Sequence, residues 1–262
     1  LYCVGGAGRY AWAFGREGAA IYSDGWDWNT YPRPVSVNIR SIWGRYHDDL
    51  FAAGDHGTVI RYDGAGWSRM DTGTMNDFSD LSGHNEENVW ACGSDGMLYR
   101  FDGSTWQAVV YSGCPNLSAI WCLGIDELIA VGQGGTIIRY GPAGLEVLDD
   151  VSTDFLIDVW ASSAEDIFVV GSRGTILHFD GGAWSRMDAG TSIQLNSVFG
   201  FTPGDVYAVG DKGLILHYDG VSWSRMESGT TRLLRSVWGA SPLKVHAAGA
   251  TGTILEFSAK TP

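Results

Sequence analysis

Apolar and polar residues alternate in short runs along the whole chain, and the runs recur at a fixed spacing. Residues 205–209, Asp-Val-Tyr-Ala-Val, alternate as a half-buried strand does. Residues 195–200, 214–218 and 223–227 read as three further strands. The links between them carry turn residues. Gly210-Asp211-Lys212-Gly213 is a tight turn whose glycines supply positive φ. Asp219-Gly220-Val221-Ser222 is a second turn, with Asp and Gly in their usual turn roles. No 3.6-residue periodicity appears, so no amphipathic helix is predicted.

This four-strand unit is one copy of a repeat. Ser197-Val198-Phe199-Gly200 and Ser236-Val237-Trp238-Gly239 lie 39 residues apart. Steps of 39 toward the start of the chain reach Asp158-Val159-Trp160-Ala161, Ala119-Ile120-Trp121-Cys122, Asp80-Leu81-Ser82-Gly83, Ser41-Ile42-Trp43-Gly44 and Tyr2-Cys3-Val4-Gly5. Gly15, Gly54, Gly93, Gly132, Gly171, Gly210 and Gly249 keep the register, and so do Gly18, Gly57, Gly96, Gly135, Gly174, Gly213 and Gly252. Asp-Gly pairs at Asp24, Asp63, Asp102, Asp180 and Asp219 follow it too. The fourth repeat has Gly141-Pro142 at that place and the seventh Ser258-Ala259.

Four short strands in about 40 residues make a propeller blade, which cannot bury its faces until neighbours stack on it. The expectation is an all-β, seven-bladed β-propeller of four-stranded antiparallel blades. It forms one domain over 1–262, with blades at 1–39, 40–78, 79–117, 118–156, 157–195, 196–234 and 235–262. Seven full repeats of 39 would need 273 residues, and the chain has 262. The last blade is therefore expected to hold three strands, leaving 252–257 as an exposed edge open to strand addition.

Composition narrows the function. The net charge is −13 and 18% of residues are charged, which disfavours a nucleic-acid partner. No apolar run reaches the length of a membrane span, about 18 residues. With 45% hydrophobic residues and 12 Trp the chain is too apolar to be disordered. It starts at Leu1, which suggests a mature product or a piece of a longer protein.

Eleven of the 12 Trp fall on repeated framework positions, which reads as packing between blades. They are Trp43, Trp121, Trp160 and Trp238 in first strands, Trp12 and Trp90 in second strands, and Trp28, Trp67, Trp106, Trp184 and Trp223 at the start of fourth strands. Only Trp26 lies off the pattern, in the turn before the fourth strand of blade one, and it is the best candidate for an exposed aromatic. The recurring Asp of Asp-Gly-x-x-Trp reads as a hairpin lock, since calcium needs six or more converging oxygens. His178 and His217 are equivalent third-strand positions expected to meet a polar partner. No two His have zinc-ligand spacing, and no metal or cofactor is expected. Cys92 and Cys114 fall on one rim of blade three, where a disulfide and two free thiols are both open readings. Cys3 and Cys122 read as buried apolar fillers.

The repeat, written Ser-Val-Trp-Gly, Asp-Val-Tyr-Ala-Val-Gly, Gly-Leu-Ile-Leu-His-Tyr-Asp-Gly and Trp-Ser-Arg-Met, resembles bacterial secreted β-propeller repeats. It also looks like a reduced relative of Asp-box (BNR-type) repeats and of the seven-bladed photosystem assembly-factor propellers. The resemblance covers the whole chain and implies an exported interaction module. Asp-box sialidases carry an Arg triad and a Tyr nucleophile on irregular insertions, and this chain has no insertions to carry them.

The expected function is thus a non-enzymatic extracytoplasmic binding or scaffold module with a protein partner. Near-identical blades supply one group seven times, whereas catalysis needs different groups converging on one point. A multivalent lectin would instead repeat an aromatic constellation at the surface, and a glycosidase-like enzyme would hold paired carboxylates with perturbed pKa values in a cleft. The expected binding residues are Arg33, Arg40, Arg232 and Arg235 near the channel mouth, with Trp26. Asp77, Asp80, Asp150, Asp154 and Asp158 are expected to form the acidic side of the same face.

Overall fold

The computed structural model describes residues 1–109, 115–148 and 150–258. They form seven separate antiparallel sheets, six of four strands and one of three. In each sheet the strands lie in sequence order, so each blade is a simple meander. The first strands are Cys3–Ala7, Ile39–Tyr46, Phe78–Asn85, Leu117–Gly124, Leu156–Ser163, Leu195–Thr202 and Leu234–Ser241. Each packs beside the first strand of the next blade, and Leu234–Ser241 packs beside Cys3–Ala7, which closes the ring. The closure is bonded as well as packed: Val4 N–H donates to Ser236 Oγ at 3.1 Å, and the Leu1 amino group donates to the Gly249 carbonyl at 3.2 Å. No helix among the described residues is long and apolar enough to cross a membrane.

The alternation buries the second strands almost completely. Leu50–Gly54, Val89–Gly93, Leu128–Gly132, Ile167–Gly171, Val206–Gly210 and Val245–Gly249 are buried at every position. Each second strand then meets a single 3₁₀ turn or an equivalent tight turn, whose two central residues carry positive φ. In blade two these are His56 at 55° and Gly57 at 63°. Glycine is required at the second place for space as well as for φ, because a Cβ on Gly57 would lie 1.9 Å from the Thr74 carbonyl oxygen.

The Asp-Gly turns are locked as expected. Asp219 Oδ1 accepts the Val221 and Ser222 N–H groups at 2.9 and 2.8 Å, and Asp63, Asp102 and Asp180 repeat the pattern. These amide bonds hold the carboxyls below their ordinary pKa. His178 and His217 meet Asp166 and Asp205 at 2.8 and 2.7 Å, and Arg61 grips Asp49 in the same place with two bonds.

Of the framework Trp residues, Trp12, Trp90, Trp106 and Trp160 are buried and the other seven are half-buried. Trp160 is 4% exposed, and its ring lies against Gly200 of the next blade, where a Cβ would approach Cη2 to 2.7 Å. Trp43 covers Gly83 in the same way. The Trp-Gly order of the repeat is thus a knob on one blade and a hole on the next. The thiols of Cys3 and Cys122 are pushed up to about 12 by burial, in keeping with filler roles. The pairing considered for Cys92 falls outside the described residues, because Cys114 is not among them; Cys92 itself is fully buried.

The seventh sheet has three strands, Leu234–Ser241, Lys244–Gly249 and Ile254–Phe257. Its outer strand shows the loss. Ile254 and Leu255 are only half-buried, whereas the matching pairs in blades two to six are buried.

Candidate functional site

The ring of first strands encloses a channel of about 600 Å³. One repeat position lines it all the way round: Tyr2, Ser41, Asp80, Ala119, Asp158, Ser197 and Ser236. Five of these side chains, all but Tyr2 and Ala119, form the inner seam between blades by accepting an N–H from the next blade. Ser41 Oγ takes Leu81 N–H at 3.3 Å, Asp80 Oδ2 takes Ile120 N–H at 2.9 Å, and Asp158 Oδ2 takes Val198 N–H at 2.8 Å. Ser197 takes Val237 N–H, and Ser236 takes Val4 N–H, both at 3.1 Å. Ala119 offers no oxygen, and there Asp158 Oδ1 folds back onto its own neighbour's N–H, Val159, at 2.8 Å.

Asp80 and Asp158 are the two carboxylic members of this ring. Burial within the ring pushes the Asp80 carboxyl up to about 6, against the pull of bonds from Ser41, Ile120 and Leu81. Burial first, then the Asp80 charge, pushes Asp158 up to about 7. Both lie on the channel wall, as the start of a first strand implies, and there they are tied to backbone amides. Asp154 is withdrawn from solvent, accepts bonds from Arg186 Nη1 at 2.7 Å and Thr175 Oγ1 at 2.6 Å, and pairs with Arg173. Asp77 accepts the His56 N–H at 2.8 Å, and Asp150 remains exposed. Asp77, Asp80, Asp154 and Asp158 of the expected acidic side are therefore engaged in internal bonds.

The mouth of the channel is one residue earlier in the repeat, at Arg40, Ser79, Ser118, Ile157, Asn196 and Arg235. Arg40 and Arg235 both line it and both are exposed. Arg40 Nε pairs with Asp55 Oδ1 at 2.5 Å. Arg235 lies over the Tyr2 ring at 5.3 Å and has no carboxylate partner among the described residues. Arg232 and Arg33 sit farther out in the links between blades. Arg232 Nη1 donates to Thr253 Oγ1 at 3.3 Å, and Arg33 Nη1 meets Glu17 Oε2 at 3.5 Å. Trp26 is 82% exposed, as expected, but it belongs to the link between third and fourth strands. In an up-and-down meander that link lies on the opposite face from the channel-mouth arginines, so the structure splits the expected set in two.

A second, smaller cavity of about 270 Å³ sits between blades four and five, lined by Ser152, Asp154, Arg173, Leu177, Trp184 and Arg186 among others. Among the described residues no group of three or more His, Cys, Asp or Glu is placed to hold a metal ion.

No family model matches the chain, and no curated protein matches it in sequence. Solved structures do match in shape. A structure of YCF48 bound to D1 peptide superposes with a TM-score of 0.78, over 98% of this chain and 93% of that one, at 16% identity. YCF48 from Cyanidioschyzon merolae gives the same TM-score at 14% identity, covering 98% of this chain and 95% of that one. The WD40 β-propeller domain of Doa1 reaches a TM-score of 0.81 over 100% of this chain and 93% of its own, at 11% identity. At such identities the likeness establishes a common fold. The photosystem assembly-factor part of the sequence resemblance therefore stands as a resemblance of fold.

Proposed function

We propose that the protein is a protein-interaction scaffold working outside the cytoplasm, whose channel mouth docks an acidic element of its partner. The observation that carries this is the pair Arg40 and Arg235 on the rim of a 600 Å³ funnel, in a chain with a net charge of −13. Arg235 keeps its charge available, and guanidinium groups suit planar recognition of carboxylates. A structural neighbour solved with a peptide bound is in keeping with this use of the fold. The setting outside the cytoplasm rests on the resemblance to exported repeats. Strand addition at blade seven would be a second contact of the same scaffold.

The test uses an acidic peptide as probe, such as a fluorescein-labelled Asp/Glu decamer, titrated at low salt. The expected result is binding that weakens as salt rises and about tenfold with Arg235→Glu, the equivalent of roughly 1.4 kcal/mol. Binding that ignores Arg40→Glu, Arg235→Glu and salt would sink the reading.

No framework Trp is exposed, four being buried and seven half-buried, which weighs against the repeated surface aromatics of a multivalent lectin. The enzyme reading keeps one observation in its favour, the Asp80–Asp158 pair with raised pKa values in a cavity. Both carboxylates, however, do the seam work that Ser41, Ser197 and Ser236 do elsewhere in the ring. Glycoside hydrolysis by this chain that vanishes in Asp80→Ser and Asp158→Ser would overturn the scaffold reading.

A further inference from the structure

We propose that the cavity between blades four and five is a binding site for a small, free organic carboxylate, held by the guanidinium groups of Arg173 and Arg186. The cavity shares no lining residue with the channel, and the proposal goes beyond the scaffold reading, which does not need it.

Three charged residues build the site, and the repeat shows that the fold does not require them. Asp154 holds the place that Val37, Asn76, Pro115, Ile193 and Arg232 hold in other copies, so no other copy has an acid there. Arg173 holds the place of Glu17, His56, Asp95, Gly134, Lys212 and Thr251, none of them Arg. Arg186 does recur, as Arg69 in blade two and Arg225 in blade six, but there Val37 and Ile193 stand where the acid would be. Only between blades four and five do two arginines meet an acid at these places.

Asp154 is 4% exposed, and a carboxylate buried that far is tolerated only when donors surround it. Arg173 pairs with Oδ1, while Arg186 Nη1 and Thr175 Oγ1 both donate to Oδ2. Arg186 Nη2 also donates to Thr175 Oγ1 at 3.1 Å, which orients its plane. One arginine would neutralise this carboxylate. Two leave one positive charge over, in a chain whose net charge is −13. No described carboxylate besides Asp154 pairs with either arginine, and Asp150, on the same link, is exposed. Each guanidinium carries five N–H donors, and the described residues take only three bonds from the pair. The remaining donors are open to a ligand, and the buried anchor has already removed part of the side-chain freedom that binding would cost.

The leftover charge selects the ligand. One negative charge balances it, whereas a phosphate dianion would set a second negative charge against Asp154. A guanidinium fork matches a planar carboxylate with two parallel bonds. Leu177, buried, and Val151 and Trp184, half-buried, give the cavity an apolar wall for an aryl or alkyl body. Its volume of about 270 Å³ falls just under the range of about 300–1,000 Å³ that holds drug-sized ligands, so the body is small.

The probe is benzoate, titrated calorimetrically against the chain 1–262 at about 0.1 M salt, where distant charges are screened. Benzamide serves as the uncharged isostere and inorganic phosphate as the competing anion. Benzoate is expected to bind with a Kd near or below about 1 mM, and benzamide and phosphate about tenfold more weakly or worse. Arg173→Gln and Arg186→Gln should each weaken benzoate about tenfold, as loss of a hydrogen bond to a charged group does. Each variant leaves the other arginine and Thr175 on Asp154, so the fold is kept, and a thermal melt checks it. Arg69→Gln and Arg225→Gln, at the place of Arg186 in other blades, should leave binding unchanged. So should Arg40→Glu and Arg235→Glu, which lets this cavity and the channel mouth stand or fall separately. Absence of benzoate binding at about 10 mM overturns the proposal. So does binding indifferent to both Arg173→Gln and Arg186→Gln, or phosphate bound as tightly as benzoate. Acetyl-glycyl-phenylalanine bound more tightly than benzoate through the same two arginines would assign the cavity to a polypeptide C-terminus and overturn the free ligand.

Discussion

The Ser41 hydroxyl donates to the Asp80 carboxylate at 2.5 Å, although the two residues hold the same place in consecutive repeats, 39 positions apart. Equivalent positions thus touch through the channel, and a polar residue there reports on the whole ring.

Stability should depend on pH through that ring. The folded-state pKa values of Asp80 and Asp158 lie above the ordinary 3.8, at about 6 and about 7. Between pH 4 and pH 7 the folded protein therefore holds protons that the unfolded chain has released. The contribution of these two groups to stability is fully present below pH 4 and is lost as pH rises through 6 and 7. Asp158→Ser keeps an oxygen for the Val198 N–H, as Ser197 does for Val237, and removes the titration. It should raise the melting temperature at pH 8 and flatten its slope between pH 5 and 8. A slope identical to that of the unsubstituted protein would rule the assignment out.

The Trp160–Gly200 contact should appear as coupling. Trp160→Ala is expected to cost roughly 3–5 kcal/mol. Gly200→Ala forces a methyl toward the ring and is expected to cost roughly 1–3 kcal/mol. In the Trp160→Ala background the second cost should shrink by at least about 0.5 kcal/mol, measurable by a double-mutant cycle in urea. Strict additivity would mean that the ring and the glycine do not share their space.

Two turn glycines of similar φ should differ in tolerance. Gly57 at 63° faces the Thr74 carbonyl, and Gly73 at 66° has nothing within 4 Å of its Cβ direction. Gly73→Ala should carry only the conformational cost, about 1 kcal/mol. Gly57→Ala adds a clash with backbone and should cost roughly twice as much or more. Equal losses in thermal melts would contradict the geometry.

Asp154 should matter more than either arginine it holds. It is buried, while Arg173 and Arg186 are 70% and 52% exposed in their side chains. Asp154→Ala strips Thr175 and both guanidinium groups of their acceptor and should cost roughly 2–4 kcal/mol. Arg173→Ala leaves Arg186 in place and should cost under about 1 kcal/mol. Chemical denaturation of the two variants gives the comparison directly.

Strand order, turn positions, the hairpin locks and the three-stranded last blade were legible in the chain because each depends on contacts within a few residues or at one constant offset. Alternation marks the strands. An Asp followed by Gly closes its own turn through bonds to the residues two and three ahead. The Trp framework was legible for the same reason, since a ring repeated every 39 residues holds the same place in each blade, as Trp43 over Gly83 and Trp160 over Gly200 show. The arginines at the mouth were placed by counting along the repeat, and Arg40 and Arg235 do reach the channel.

Tertiary structure decided what the polar exceptions do. Counting along the repeat puts Asp80 and Asp158 beside the channel but does not show what they bond. Ring closure encloses them, because their environment is built by first strands drawn from the whole length of the chain. Asp154 meets Arg173 and Arg186 across two blades at spacings of 19 and 32 residues, which no repeat predicts. Trp26 and the arginines look like one set in sequence, and the alternating direction of the strands sends them to opposite faces. Backbone pattern is local and periodic, so one sequence can state it. Charge pairing and face depend on side-chain reach between non-equivalent positions, and only the closed ring brings those together.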